Sequence, residues 1–89
     1  MTKAIPKLNK NDIIHVRWHD AAGFRVWVNS GELEKLKPNE VQTVGFFHGK
    51  DKDAFRLMGT FDNQGNIHDT NCIPRSNIVE VQILRKAKR

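Results

Sequence analysis

The sequence has no tyrosine and one cysteine, Cys72. One cysteine excludes an internal disulfide framework and a thiolate metal cage. It is expected to pack as a small buried apolar residue. No apolar run is long enough to cross a bilayer, so no membrane-spanning segment is expected. The opening residues, MTKAIPKLNK, lack the continuous apolar stretch and small-residue cleavage site of a secretory signal, and a cytoplasmic location is expected. No phosphate-cradling glycine loop and no nucleophile elbow occurs, and the acids are scattered over turns and helix ends, not paired for acid–base work.

Acids are also missing from both ends. Of the 89 residues, the first ten hold Lys3, Lys7 and Lys10, and the last five hold Arg85, Lys86, Lys88 and Arg89. Those ends carry seven of the fifteen cations and none of the ten acids, so the body between them has eight cations against ten acids, a charge of −2 within a net +5. The basic character therefore belongs to the termini and not to the body. A chain this short makes one domain, because half of it buries too little surface to hold a core. We read a flexible basic arm over 1–11, one domain over 12–84 and a basic tail over 85–89.

Periodicity of two dominates the body. In DIIHVRWH, Ile14, Val16 and Trp18 face one way and Ile13, His15, Arg17 and His19 the other. After the turn DAAG, FRVWV resumes the alternation and predicts a first hairpin, with Phe24, Val26 and Val28 inward and Arg25 and Trp27 outward. Ser30 is the expected N-cap of a short helix, GELEKLK, which Pro38 stops. EVQTVGFFHGKDKDAFRLMGTFD predicts a second hairpin with GKDKD at its tip and strands of seven or eight residues. There Phe55, Leu57 and Phe61 share a face opposite Arg56, Met58 and Thr60. Gly45 and Gly59 interrupt these strands, as at bends or close backbone approaches. A weaker strand near IHDTNCI, a PRSN corner with Ile73 and Ile78 buried on either side, and the strand IVEVQIL complete an all-β domain.

Four histidines raise the question of a metal. His15 and His19 share a face, but four strand steps set them about 13 Å apart, too far for one ion. His48 and His68 lie near turns. Ser76 or Cys72 with His68 and Asp69 lacks a recognised nucleophile setting, and turn formation accounts for Asp69 and Ser76. No enzymatic activity, metal or cofactor is expected. Binding chemistry is better represented: His15, Arg17, His19, Arg25 and Trp27 collect donors, cations and a ring on one face, which suits a phosphate-bearing ring. Arg75 is the one member of its corner not needed to shape it, and so is the other candidate contact.

A strand ending in Trp18 and Asp20, the stretch TVGFF, a turn-rich segment with Asp62, Gly65 and Asp69, and the closing IPRSNIVEV together resemble small proteins encoded by phages and prophages. The resemblance spans roughly residues 12–84. It implies an Sm-like or Src-homology-3-like barrel: a small, strongly bent antiparallel sheet of five or six strands, with a one-turn helix before the last strand where PRSN falls. It carries across no catalytic residue and no ligand. For a phage-encoded protein it implies a location in the host cytoplasm.

Three functions follow as expectations. One is a non-catalytic homo-oligomer that captures an anionic phosphorylated or nucleotide ligand, such as a host signalling nucleotide to be sequestered, through Arg17, Arg25, Trp27, Arg75, His15 and His19. The next is a nucleic-acid-binding barrel that grips the backbone with Arg85, Lys86, Lys88 and Arg89 and stacks bases on Trp27 or an exposed phenylalanine. The last is an adaptor or inhibitor of a host protein.

Overall fold

The computed structural model describes residues 5–21 and 26–88. In chain order it contains β1 (Ile13–Asp20), α1 (Ser30–Lys35), β2 (Asn39–Lys50), β3 (Ala54–Phe61), β4 (Ile67–Pro74), a single 3₁₀ turn (Arg75–Asn77) and β5 (Ile78–Arg85). The strands form one antiparallel sheet in the order β4-β3-β2-β1-β5. The two outer strands, β4 and β5, are joined through the 3₁₀ turn and are not hydrogen-bonded to each other as a closed barrel requires.

The sheet is nevertheless strongly curled. Ile14 and Val16 of β1, Phe47 of β2, Phe55 and Leu57 of β3, Ile73 of β4, and Ile78 and Val81 of β5 pack into one buried cluster. With α1 burying nothing, a flat sheet could not bring these side chains to near-zero exposure. The curl comes from β2, whose first half pairs with β1, from Asn39↔Asp20 to Phe46↔Ile13, and whose second half pairs with β3, from Phe46↔Met58 to Lys50↔Phe55. One strand serving two neighbours in succession must bend, and Gly45 stands where it does. A Cβ there would lie 3.1 Å from the Met58 carbonyl oxygen and 3.2 Å from Leu57 Cβ.

β1 carries the expected alternation. Ile14 and Val16 are buried, Trp18 is half-buried against the core, and its Nε1 donates to Thr43 Oγ1 at 3.0 Å. The expected first hairpin does not form. Val26, Trp27 and Val28 are not in a strand, and the partner of β1 is β2. Phe24 and Arg25 lie outside the described residues. The local alternation of FRVWV is outcompeted by the distant stretch NEVQTVGF, which offers β1 eight consecutive partners and a hydrophobic inner row. This pairing also explains why β2 reaches twelve residues.

Other expectations shift by smaller steps. Asn29, not Ser30, caps α1: its side chain accepts from Glu32 N at 2.8 Å and its amide donates back to Glu32 Oε1 at 2.8 Å, a reciprocal cap. None of the helix is buried. Met58, read as outward-facing, is buried beside Phe46, and Phe61 leaves the row of Phe55 and Leu57 to rest edge-to-face on Phe46 at 5.0 Å. Cys72 is exposed, because β4 is an edge strand that buries only Ile73. The corner stands as read for Ile73 and Ile78, both buried, although Asn77 caps nothing and only meets Ser76 Oγ at 3.2 Å. Ile5 and Leu8 of the N-terminal segment pack against the core.

Two turns depend on aspartates. Asp51 accepts from the amides of Asp53 and Ala54 and from Arg56, and Asp62 accepts from the amides of Gln64 and Asn66 and from the Asn66 side chain. These donors hold both carboxyls below the ordinary 3.8, with the Asp53 amide the largest cause for Asp51 and the Asn66 side chain for Asp62. Lowered values in the folded state stabilise the turns above pH 3.8, and that contribution is lost as the pH falls through the lowered values. Carboxyl NMR titration is expected to give both midpoints below 3.8; ordinary midpoints would mean the turns are open in solution.

Gly59 faces Asp69, whose backbone is left-handed with φ 56°. A Cβ at Gly59 would fall 2.7 Å from Asp69 Cβ and 3.0 Å from its carbonyl oxygen. Gly59→Ala is expected to lower stability by about 1–3 kcal/mol in chemical denaturation. Gly49→Ala, where an added methyl meets nothing within 4 Å, is expected to cost less than about 0.5 kcal/mol. Equal effects at the two sites would contradict the close approach.

Candidate functional site

The outer face of β1 presents His15, Arg17 and His19, as the alternation requires, but their neighbours change what they can bind. Arg17 Nη1 donates to Glu40 Oε1 at 3.1 Å, and its Nε lies 3.7 Å from Glu80 Oε1. These acids arrive because Arg17 is flanked in the sheet by Gln42 and Glu80, with Glu40 next along β2. Two carboxylates around one guanidinium leave this part of the face negative. His15 Nε2 hydrogen-bonds Gln42 Oε1 at 2.8 Å, and exposed His19 sits across from Glu40. An anion would have to displace these partners.

The remaining candidates lie elsewhere. Trp27 is fully exposed on the connection between β1 and α1. Arg75 is engaged at the β2–β3 turn: its Nη1 donates to the Asp51 carbonyl at 2.9 Å, its amide donates to the Asp53 carbonyl at 2.9 Å, and its guanidinium lies 5.6 Å from the Phe55 ring centre. It ties the corner to the hairpin and covers a core ring. Arg25 and Arg89 lie outside the described residues.

A different constellation forms at the start of β1. Ile13, Phe46 and Phe61 make an apolar floor, and Arg85, Lys86 and Lys88 make the wall of a groove of about 300 Å³. Among the described residues lining it there is no acid. Register sets this arrangement: Ile13 pairs with Phe46 on one side and with Arg85 on the other, so the outer side of β1 brings the ring and the cation to one place. Phe61 completes the floor by its edge-to-face contact with Phe46.

The tail beyond β5 is held by Asp12, which is buried with 1% of its surface exposed. Asp12 Oδ1 accepts from Ala87 N at 2.8 Å and Oδ2 accepts from Asn9 N at 2.9 Å. Its carbonyl accepts from Phe47 N at 2.8 Å. One side chain therefore fixes the residue between Lys86 and Lys88 against the segment that enters β1. Asn11, also lining the groove, has φ 73°, a conformation asparagine tolerates, and donates its amide to the Phe47 carbonyl at 2.8 Å.

Two further depressions follow from it in turn. One of about 250 Å³ lies past Phe61, bounded by Asp62, Asn66, Ile67 and His68. Another of about 280 Å³ adjoins Ile67 and includes Met58, His48, Arg56 and Cys72. Arg56 is paired with Asp51 at 2.8 Å, which raises its pKa. Among the described residues no three His, Cys, Asp or Glu side chains are gathered as a metal site, and no helix is long and apolar enough to cross a membrane.

Sequence reading placed the cations of the tail but not the floor beneath them. Asn11, Ile13 and Asp12 were not recognised, because the groove depends on pairing between residues more than thirty positions apart. The nearest signal was an apolar excess read onto the outer face, of which Phe46 does line the groove while Met58 is buried. Asp12→Ala is expected to cost about 1–3 kcal/mol, since two half-buried amides lose their acceptor. The Ala87 amide should then exchange with solvent much faster in NMR-detected hydrogen exchange. Unchanged protection at Ala87 would show that the tail is held by something else.

No family model, curated protein or solved structure matches this chain.

Proposed function

We propose that this protein is a non-catalytic binding protein for phosphate-bearing ligands, with nucleic acid as the ligand its groove suits best. The observation that carries the reading is the gathering of Arg85, Lys86 and Lys88 over Ile13, Phe46 and Phe61 without an acid among the described lining residues. Cations attract phosphates through counterion release, and an exposed ring beside them offers a base a stacking surface. The face around Arg17, by contrast, already has its charge answered by Glu40 and Glu80.

We take the curled sheet as a small barrel of the Sm or Src-homology-3 kind, with the 3₁₀ turn of Arg75–Asn77 in the place of the one-turn helix that such barrels carry before the last strand. In this reading β4 and β5 remain available as open edges, through which copies of the chain can associate. A free nucleotide would use the same cations and ring, which keeps capture of a phosphorylated small molecule within the proposal.

Three cations engaging a single strand predict that log K falls against log salt concentration with a slope of about −2. Replacing Lys86 and Lys88 by glutamine is expected to weaken oligonucleotide binding and reduce that slope by about 1.4, measured by fluorescence anisotropy across a salt series. Binding unaffected by these replacements would remove the groove from consideration. A mononucleotide that binds as tightly as the oligonucleotide would favour small-ligand capture.

A further inference from the structure

Resting on the reading of the groove as a nucleic-acid site, we propose that the ligand is single-stranded and crosses Phe61, its phosphates along the basic tail and its bases directed over the ring toward Ile67. The depressions on either side of Phe61, about 300 Å³ and about 250 Å³, have that one residue in common. Phe61 is 39% exposed, and its ring is held edge-to-face against that of Phe46 at 5.0 Å and 87°. A ring that is both open and held in place is a stacking platform, whereas a loosely held one would lose more rotational freedom on binding.

The charges on the two sides are opposite. On the tail side stand Arg85, Lys86 and Lys88. On the far side stand the Asp62 carboxyl, which accepts three hydrogen bonds from Gln64 and Asn66, and His68, which lies 3.1 Å from Asp69. A phosphate is attracted on the first side and repelled on the second, while a base carries no charge and brings N–H donors that an acidic, amide-rich rim can accept. The nucleotide fits only with backbone and base on opposite sides of Phe61. A duplex cannot meet that demand, because both its strands present phosphate outward and keep their bases stacked inside.

The test is fluorescence anisotropy with a labelled twelve-nucleotide DNA of mixed sequence, as a single strand and annealed to its complement, at one low salt concentration. The native protein is expected to bind the single strand at least tenfold more tightly than the duplex. Phe61→Ala should weaken single-strand binding roughly five- to hundredfold and leave duplex binding within twofold. Phe61→Trp should retain single-strand binding, and Phe61→Leu, which keeps the apolar bulk without the ring, should not. Circular dichroism melting of each variant establishes that it is folded. Equal single-strand binding by the native protein and folded Phe61→Ala, or full recovery in Phe61→Leu, overturns the path across Phe61. If the glutamine replacements at Lys86 and Lys88 still weaken binding in that case, the groove survives and only the single-strand path fails. No binding of either DNA by the native protein overturns both.

Discussion

The buried carboxyl of Asp12 is the constraint on which the arrangement of this protein depends. An acid with almost no contact with water persists in a fold only when its oxygens are satisfied by donors. Here the donors are the backbone amides of Asn9 and Ala87, near opposite ends of the chain, and the Asp12 carbonyl simultaneously receives the amide of Phe47. Sequence distances of 3 and 75 residues are closed by one side chain. The cost of burying the acid is thereby converted into positional information: the N-terminal segment, the bend of β2 and the basic tail must all meet at one point.

The bend of β2 supplies the second half of the same geometry. Because Phe46 is paired with both Ile13 and Met58, it sits at the place where the sheet turns from one neighbour to the next. Its two chain neighbours, Gly45 and Phe47, are buried, so its own side chain is driven to the outside. An outward aromatic at the apex of a curled sheet is partly covered by the next ring, Phe61, and partly left open. The groove is thus a by-product of curling: the bend that lets eight residues from five strands reach a common core also forces apolar surface outward where the tail is tethered.

How much of this was legible follows from which interactions are local. The alternation of Ile14, Val16 and Trp18 is written in adjacent residues, and it appears in the folded protein as read. The same holds for Ile73 and Ile78 around the corner, and for Gly45 and Gly59, where a missing side chain permits a close approach. The hairpin expected from FRVWV fails for a non-local reason. Strand propensity is satisfied by any partner, and the choice between an adjacent five-residue run and a distant eight-residue one is made by inner-face packing that no local window contains. Cys72 illustrates the same limit. A cysteine is buried when its strand is central, and β4 is at the edge. Asp12 was the hardest to foresee, since an aspartate before a strand ordinarily signals a turn.

The charge of the protein also takes on a different meaning once the strands are paired. Read along the chain, Arg17 and Arg75 are unattached cations and the tail is a solubilising end. Read across the sheet, Arg17 is flanked by acids on both neighbouring strands, and Arg75 spans from its corner to the β2–β3 turn. A cation engaged in this way must give up its partners before it can bind an anion, and the anion's gain is reduced by what those partners lose. Arg85, Lys86 and Lys88 have a different setting, beside an apolar floor whose low polarability screens their field less than open water does. Positive charge is thus concentrated where the chain looked least structured, with no acid among the described residues that line the groove. The tether from Asp12 makes that concentration a fixed feature of the surface, since it holds the backbone between the two lysines while their charged ends stay in solvent.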